Sequence, residues 1–371
     1  MPSVHSFQRI GSVVRTTSRV HRMIASQRSD RSRLFSAAKK RVVFLGTPEV
    51  AASTLRRLHE ESLRDNSLYE IVSVVTQPPK RRKRRGKEEP SPVGKVAEEL
   101  EIPVLCPEQA KDNDFLDELE SSVNPDLCIT AAYGQYLPKR FLATPTYGTV
   151  NIHPSLLPRW RGASPVQRSL EAGENPLGVS LLFTVSKMDA GPIIAQQEEM
   201  VDENDTATTV LPQLFEIGTN LLIDSLPDLV TGKITMETAT AQDEGGVVNA
   251  AMIHTSEAEL QPWHEGAKTM HDRLRGFSMW PGGFLFMTIG DREEAIKYKI
   301  LETRLLEETA EATDQVSPGP SKGDGLRLVC HDGSILEINR LQPATRKPMD
   351  ALSFVNGLQG KVVRWIKSED S

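Results

Sequence analysis

Two side chains suited to acyl transfer lie two residues apart in the middle of the chain. Asn151 and His153 follow the short apolar run 148–150. Alternate residues of an extended segment project to the same face, so this amide and this imidazole can address one small volume. Two prolines and a glycine within residues 154–162 then break regular structure and form a rigid loop beside that volume. Transfer of an acyl group to an amine requires such a pair, because the amide polarises a carbonyl and the imidazole moves a proton.

A carboxylate that can complete this pair lies in the turn Met188-Asp-Ala-Gly191. The apolar runs 179–184 and 193–198 on either side predict two strands, so Asp189 can reach back to the imidazole and set its charge state. Each of the three residues also has an ordinary structural interpretation. An asparagine commonly caps a turn, a histidine is more often structural than catalytic, and an aspartate before Ala-Gly is a common turn residue.

The elements that must position these residues alternate between strand and helix. An apolar strand from residue 41 is broken by Gly46-Thr-Pro48, and a helix at 50–63 and a second strand at 71–76 follow. This opening is typical of a doubly wound sheet, and the absence of GxGxxG argues against a dinucleotide site. Further elements are predicted at 93–100, 104–105, 115–123, 127–132 and 206–229. The sequence therefore predicts an α/β catalytic domain over residues 41–230, with a mostly parallel sheet.

The composition changes near residue 231. Residues 231–262 are polar and turn-rich, which is typical of a linker. After one predicted helix at 265–275, short alternating runs occur at 283–288, 295–302, 326–330 and 335–341. Short strands with glycine-rich turns indicate a small β-barrel, with residues 316–325 as a loose hairpin. A second domain is expected over residues 263–371.

The bulk properties suit a soluble globular protein of 371 residues, with 38% apolar and 25% charged residues. No apolar run approaches the length of a membrane span, so no membrane association is expected. Cys106, Cys128 and Cys330 are far apart and lack a metal-ligand spacing. They are interpreted as reduced structural thiols, and no metal is expected.

Residues 1–40 differ from the rest of the chain in charge. They contain nine Lys and Arg residues and one acidic residue, Asp30, although the whole chain has a formal net charge of −6. The segment is also rich in serine and threonine and prefers arginine to lysine. This composition favours an organellar transit peptide, with a mitochondrial destination ahead of a plastid one. The alternative is a basic tail that stays attached.

A second basic segment lies inside the predicted catalytic domain. Seven of its eight residues carry a positive charge: Lys80, Arg81, Arg82, Lys83, Arg84, Arg85 and Lys87. A loop that concentrates charge in this way can neutralise phosphates and release counterions on binding nucleic acid. A solvated charge run, a nuclear-localisation sequence and a protease-sensitive linker are the alternatives, and charge alone does not decide among them.

The segment from Asn151 to Gly162 resembles the active-site signature of the formyltransferases that use 10-formyltetrahydrofolate, and is most similar to members that act on methionyl-tRNA. The resemblance extends from about Arg41 to Phe354. It implies that Asn151, His153 and Asp189 form the catalytic trio. It further implies folate binding by Ser155, Leu156, Leu157, Pro158, Tyr133 and Gly134, and an OB-like, tRNA-binding barrel after the catalytic domain.

The resemblance also gives the basic loop a role, because the family has a loop in this slot that enters the end of the initiator tRNA acceptor stem. Arg84 matches a family arginine that contacts the stem. The chain departs from the family at Pro79, which replaces a usual aspartate, and at Met252, which lies where a lysine is common. The resemblance thus implies an enzyme that formylates charged initiator methionyl-tRNA, and together with the composition of residues 1–40 it predicts an organellar form, expected to be a monomer. The alternatives are a formyltransferase for a nucleotide or sugar amine, and a catalytically silent tRNA-binding protein on the same fold.

Overall fold

The computed structural model describes residues 38–81, 87–291, 294–321 and 323–367. The first part contains, in chain order, β1 (Lys40–Gly46), α1 (Glu49–Ser62), β2 (Tyr69–Val75), β3 (Lys80–Arg81), β4 (Glu88–Glu89), α2 (Pro92–Glu99), β5 (Val104–Leu105), α3 (Asn113–Glu118), a π-helical turn (Leu119–Val123), β6 (Leu127–Ala131), α4 (Lys139–Leu142), β7 (Thr149–His153), β8 (Arg161–Gly162), α5 (Pro165–Glu171), β9 (Leu177–Phe183), β10 (Ile193–Glu199) and α6 (Ala207–Val230). The second part contains a 3₁₀ turn (Glu244–Gly246), β11 (Asn249–Ala250), a second 3₁₀ turn (Thr255–Ala258), α7 (Ala267–Gly276), β12 (Gly283–Ile289), β13 (Ile296–Thr309), β14 (Gln315–Pro318), β15 (Leu326–Val329), β16 (Ser334–Pro343), β17 (Met349–Asp350), α8 (Ala351–Leu358) and β18 (Val363–Ile366).

The first domain is built on a sheet of seven strands in the order β10-β9-β7-β6-β1-β2-β5. The five strands from β7 to β5 are parallel, whereas β9 and β10 are antiparallel to their neighbours. Both faces of β1 are buried: Phe44 packs towards α1 and α6, and Leu45 packs towards α3. Burial on both faces is the reason that this strand is an unbroken apolar run. The predicted α/β class with a mostly parallel, doubly wound sheet is confirmed.

Helix α6 packs directly against the strands in the centre of the sheet. A capping box formed by Thr206 and Thr209 begins the helix. A Cβ atom at Gly218 would lie 2.5 Å from Ile152 Cγ2 and 2.9 Å from Val179 Cγ2, so the glycine permits this close approach. The helix therefore supports β7, which carries Asn151 and His153, and β9, which precedes the turn of Asp189.

The second domain is a closed antiparallel barrel. Its six strands follow the order β13-β12-β18-β14-β15-β16, and β16 pairs again with β13 to close the barrel, while β17 adds to one edge. Apolar side chains from all six strands, α7 and α8 fill the interior. The expectation of a small β-barrel is confirmed, although β14 occupies the start of the segment that was predicted to be only a loose hairpin.

The two domains contact each other through α5 and α7. A Cβ at Gly276 would lie 2.5 Å from the carbonyl oxygen of Gln167, which shows how closely these helices approach. Arg275 Nε donates to the carbonyl oxygen of Asp205 at 2.7 Å, and His271 Nε2 donates to that of Glu203 at 3.0 Å. Among the helices in the described ranges, none is both long enough and apolar enough to cross a membrane.

The segment that joins the domains also pairs with the first domain. Thr240 and Ile193 exchange two backbone hydrogen bonds of 2.7 and 2.9 Å, and β11 pairs in parallel with β8. The region predicted to be a linker is therefore partly built into the first domain.

Candidate active site

Strand β7 places Asn151 and His153 on one face, towards an open cavity of about 680 Å³. The strand extends through His153, beyond the apolar run that predicted it, because β9 pairs with it as far as Ser180. The predicted carboxylate, Asp189, lies on the wall of the same cavity. The structure therefore brings together the three residues that the sequence singled out.

The side chain of Asn151 is oriented by a neighbouring strand. Thr130 on β6 pairs with Asn151 in register, and its Oγ1 donates to Asn151 Oδ1 at 2.7 Å. The amide oxygen is thus engaged, and across the described part of the chain no acceptor is bonded to the amide nitrogen. Asn151 therefore presents an N–H donor to a ligand in the cavity.

His153 is buried, with 4% of its surface exposed, and its ring is fixed from one side. The partner of Nε2, at 2.9 Å, is the carbonyl oxygen of Trp160. A carbonyl can only accept, so Nε2 carries a proton. Nδ1 lies 3.8 Å from Asp189 Oδ1, which is within ion-pair range but too long for a hydrogen bond. Nδ1 is therefore the ring nitrogen that remains for proton transfer.

Asp189 is held in an unusual backbone conformation, with φ of +49°. Its Oδ2 accepts a hydrogen bond of 2.9 Å from the backbone N–H of Gly162. Gly162 itself has φ of +129°, and a Cβ there would lie 2.6 Å from the carbonyl oxygen of Ala250. Because residue 162 is a glycine, the loop after His153 can approach both β11 and Asp189 closely.

The residues predicted to bind folate divide into two groups. Tyr133 and Gly134 line the cavity, as expected from the resemblance. Ser155, Leu156, Leu157 and Pro158 are absent from its wall, where His153 and Pro154 are the lining residues of this segment. Instead, Ser155 Oγ donates to Arg159 O at 2.8 Å, and Leu157 N donates to Ser180 Oγ at 3.0 Å. Ser155 and Leu157 thus hold the loop in place, and folate contact by the four residues stays a prediction.

The opposite wall of the cavity is apolar and was not identified from the sequence. It is formed by residues from the start of α1, from α6 and from the second domain: Pro48, Val50, Leu211, Pro212, Phe215 and Met279. Ser278 Oγ accepts from the backbone N–H of Thr208 at 3.2 Å, and the two hydroxyls lie 3.1 Å apart, so the residue before Met279 is bonded to the first turn of α6. Only the fold brings these residues together, because no motif connects them.

The basic loop is described in part. Lys80 and Arg81 form β3, which pairs with Glu88 and Glu89 on β4, and Lys87 is exposed. Arg81 Nε lies 3.6 Å from Glu88 Oε1, so one of these charges is partly neutralised at the base of the hairpin. Arg82, Lys83, Arg84 and Arg85 lie outside the described residues.

The cysteines do not take part in this site. Burial raises the pKa of Cys330 to about 11 and also raises the pKa of Cys128, which makes both poor nucleophiles near neutral pH. Within the described ranges, no group of three or more His, Cys, Asp and Glu side chains is arranged to hold a metal ion. Among the side chains that line the cavity, Asn151, His153 and Asp189 supply an amide donor, an imidazole and a carboxylate.

Comparison with known proteins identifies the class. Residues 40–226 match the family model described as formyl transferase, and residues 253–359 match that of the formyl transferase C-terminal domain. The fold is similar to that of HypX from Aquifex aeolicus, with a TM-score of 0.56 at 16% identity over 87% of this chain and 48% of that one. The fold and both matches thus define a formyl transferase.

Similar proteins of known name indicate which formyl transferase family the chain belongs to. The chain is 37% identical to a methionyl-tRNA formyltransferase of Listeria monocytogenes over 319 residues, which cover 85% of this chain and 95% of the relative. It is 33% identical to a methionyl-tRNA formyltransferase of Bacillus licheniformis over 324 residues, with the same coverages. The chain belongs to the methionyl-tRNA formyltransferase family, and the resemblance noted in the sequence is confirmed.

Proposed function

We propose that this chain moves the formyl group of 10-formyltetrahydrofolate onto the α-amine of charged initiator methionyl-tRNA, and that it does so in an organelle, a mitochondrion ahead of a plastid. The observation that carries the proposal is the convergence of Asn151, His153 and Asp189 on one cavity. Family membership supports methionyl-tRNA as the acceptor. A folate donor is in keeping with HypX, whose fold is similar and which has been solved in complex with tetrahydrofolic acid.

In the proposed reaction, the methionyl amine forms a bond to the formyl carbon, and the bond from that carbon to N10 of the folate breaks. The amine loses a proton and N10 gains one. The Asn151 N–H is placed to donate to the formyl oxygen as negative charge develops there. Because Nε2 of His153 is already bonded to Trp160 O, Nδ1 accepts the proton of the amine and returns it to N10.

Asp189 supports this proton transfer electrostatically. Its Oδ1 lies 3.8 Å from His153 Nδ1, so its negative charge favours the protonated ring that forms during the reaction. The hydrogen bond from Gly162 N to Oδ2 keeps the carboxylate in this place. The trio thus divides the work: Asn151 acts on the oxyanion, His153 carries the proton, and Asp189 stabilises the charged imidazole.

Formylation of charged initiator tRNA with labelled 10-formyltetrahydrofolate tests the proposal. We expect wild-type protein to transfer the label to methionyl-tRNA in preference to nucleotide and sugar amines. His153→Ala should lose transfer while RNA binding is retained, and His59→Ala, a remote change at the end of α1, should not. Unchanged transfer in His153→Ala would refute the catalytic assignment, and preference for a nucleotide or sugar amine would support the rival formyltransferase.

The basic loop gives the proposal a second, independent test. Lys80 and Lys87 are exposed, and the loop carries seven positive charges in eight residues. Replacing Arg84 and the neighbouring Lys and Arg residues with Ala should raise KM for tRNA. The variant should also show a weaker dependence of tRNA affinity on salt. The slope of log affinity against log salt concentration should fall by about 0.9 for each phosphate that the variant no longer neutralises. Lys233→Ala, at an exposed lysine paired with Asp228, is the control. A fall in folate affinity instead would mean that the loop has been misassigned.

The organellar location and the oligomeric state need separate experiments. The formyl transferase match begins at residue 40, after the basic segment, which is in keeping with a transit peptide there. Residues 1–40 fused to a fluorescent protein should carry it into mitochondria, and plastid or cytosolic fluorescence would contradict this. We also propose that the active form is a monomer, to be checked by light scattering of the active fraction.

A further inference from the structure

We infer that Gln242, in the segment between the two domains, is a positioning residue that holds Asp189 beside His153, and that Arg161 fixes the orientation of Gln242. Neither Gln242 nor Arg161 lines the main cavity, so both act through Asp189. The inference rests on the proposed function, because it assigns these residues a part in the same reaction.

Gln242 spans the turn that carries Asp189. Its Nε2 donates to the carbonyl oxygen of Asp189 at 2.9 Å and to that of Gly191 at 2.7 Å. The two protons of one amide group thus bind the backbone on both sides of Ala190. A side chain that bonds two carbonyls of a short turn restricts the position of the whole turn.

Arg161 determines which end of the Gln242 amide faces the turn. Gln242 Oε1 accepts from Arg161 Nε at 3.0 Å and from Nη2 at 2.8 Å, and charge-assisted pairs of this kind are strong and directional. The Arg161 side chain is only 4% exposed, and its Nη1 donates to Glu244 Oε1 at 3.0 Å. The oxygen of Gln242 is thus committed to Arg161, and its nitrogen is committed to the turn.

The turn requires such support because its conformation is unfavourable by itself. A residue other than glycine in the left-handed region is strained and persists only where the surroundings enforce it. Asp189 has φ of +49°. If the turn relaxed, the hydrogen bond from Gly162 N and the 3.8 Å approach to His153 would both change. A small displacement of a catalytic group has a large effect on rate.

The chain around Gln242 also contacts the loop that follows His153. The backbone N–H of Arg161 donates to Val248 O at 3.0 Å, and β11 pairs with Gly162 at Ala250. On the other side of Gln242, Thr240 pairs with Ile193. The segment from 240 to 250 therefore links the loop after His153 to the turn of Asp189, and it continues into the second domain.

The variant Gln242→Glu separates positioning from general stability. It keeps an oxygen for Arg161, but it removes both donated hydrogen bonds and turns a carboxylate oxygen towards two carbonyl oxygens. We expect kcat for formylation of methionyl-tRNA to fall about tenfold or more per folded molecule. KM for tRNA and for the folate should stay within about threefold of wild type, because Gln242 itself does not line the cavity. Gln109→Glu, at an exposed loop position of the same domain, adds the same charge as the matched control.

Two further measurements test the roles of Arg161 and Gln242 separately. Arg161→Lys removes the planar pair of donors to Gln242 while retaining the positive charge, and it should lower kcat in the same selective way. Amide exchange of residues 188–191 should speed up in Gln242→Glu, by about tenfold, whether or not formylation is measured. If kcat of folded Gln242→Glu stays within twofold of wild type, or if exchange is unchanged, the inference is overturned. A wild-type protein that does not formylate methionyl-tRNA would instead overturn the proposed function, and the exchange experiment would still decide the positioning role.

Discussion

His153 Nδ1 lies 3.8 Å from Asp189 Oδ1, so the carboxylate lies beside this ring nitrogen without forming a hydrogen bond to it. The ring cannot turn to shorten this distance without losing the 2.9 Å bond from Nε2 to Trp160 O. The carboxylate is held in turn by Gly162. The pair is therefore fixed from both ends, and the gap leaves Nδ1 open to the proton of a substrate.

The charge of Asp189, and not its shape, should matter most for catalysis. Asp189→Asn keeps the size of the side chain and an oxygen for Gly162 N, but it removes the negative charge next to His153. We expect kcat to fall about 100-fold or more, with little change in thermal stability. Single-turnover formylation measures the effect, with Asp228→Asn as an exposed control. A kcat within threefold of wild type would rule out an electrostatic role for Asp189.

The hydroxyl of Thr130 should affect the rate through Asn151. Thr130→Val removes the 2.7 Å bond to Asn151 Oδ1, so the amide is no longer held with its N–H towards the cavity. A lost hydrogen bond of ordinary strength corresponds to a fall in kcat of about 2- to 13-fold. Thr54→Val removes a comparable buried hydroxyl in α1 and should lower stability without changing kcat. Equal effects of the two variants on kcat would contradict the orienting role of Thr130.

Two glycine substitutions should change stability in opposite directions. At Gly162, φ is +129° and a Cβ would lie 2.6 Å from Ala250 O, so Gly162→Ala should destabilise the protein by about 2 kcal/mol or more. Gly357 lies in α8, where an added Cβ meets nothing within 4 Å. Gly357→Ala should stabilise the protein by about 0.5–1 kcal/mol. Urea denaturation measures both, and a neutral Gly162→Ala would show that the loop can move away from the linker.

Acid should weaken the contact between the domains at His271. Burial, together with the charge of Arg275, lowers the pKa of His271, although the bond to Glu203 O and the charges of Asp272 and Glu203 oppose the shift. Because the unfolded chain then binds this proton at a higher pH than the folded one, stability should decrease as the pH falls below the ordinary histidine value, about 6.5. The decrease should level off below the lowered folded-state pKa.

The melting temperature between pH 7.5 and 5 measures this effect. His271→Gln keeps hydrogen-bonding groups but cannot titrate, so its melting temperature should depend less on pH over this range than that of the wild type. An identical pH dependence in the two proteins would assign the effect to other groups.

The fold class and the placement of Asn151 and His153 on one face could be predicted from the sequence for local reasons, whereas the convergence of Asp189 on them was predicted only from the family resemblance. The buried strands are long apolar runs, and Asn151 and His153 fall two residues apart, so the period of a strand places them on one face. Strand β18 was not predicted, since it has only four residues and follows the apolar helix α8 after a short turn, so it gives little periodicity of its own. The same holds for strand β14, because glycine, proline and serine follow it closely.

The supporting residues of the site could not be predicted in the same way. Thr130 contacts Asn151 across a strand pairing of 21 positions, and Gln242 reaches Asp189 across 53. Local patterns carry no information about such contacts, which depend on how the chain returns to the sheet. Gln242 even lies in a segment whose polar composition indicated a linker. Arg161 belongs to the motif that begins at Asn151, yet nothing local indicates that its partner is an amide 81 positions away.

The pairing of β11 with β8 has a consequence for how the protein can be divided or lengthened. Inter-domain connections are ordinarily the places where a chain tolerates cutting, insertion and circular permutation. Here, a break between the end of α6 and residue 240 would detach both Thr240, which pairs with Ile193, and Ala250, which pairs with Gly162. A fragment that ends with α6 would keep every residue of the trio and lose the chain segment packed against two of its loops. The functional boundary of the first domain therefore falls after the end of its last helix, in a part of the chain that looks dispensable.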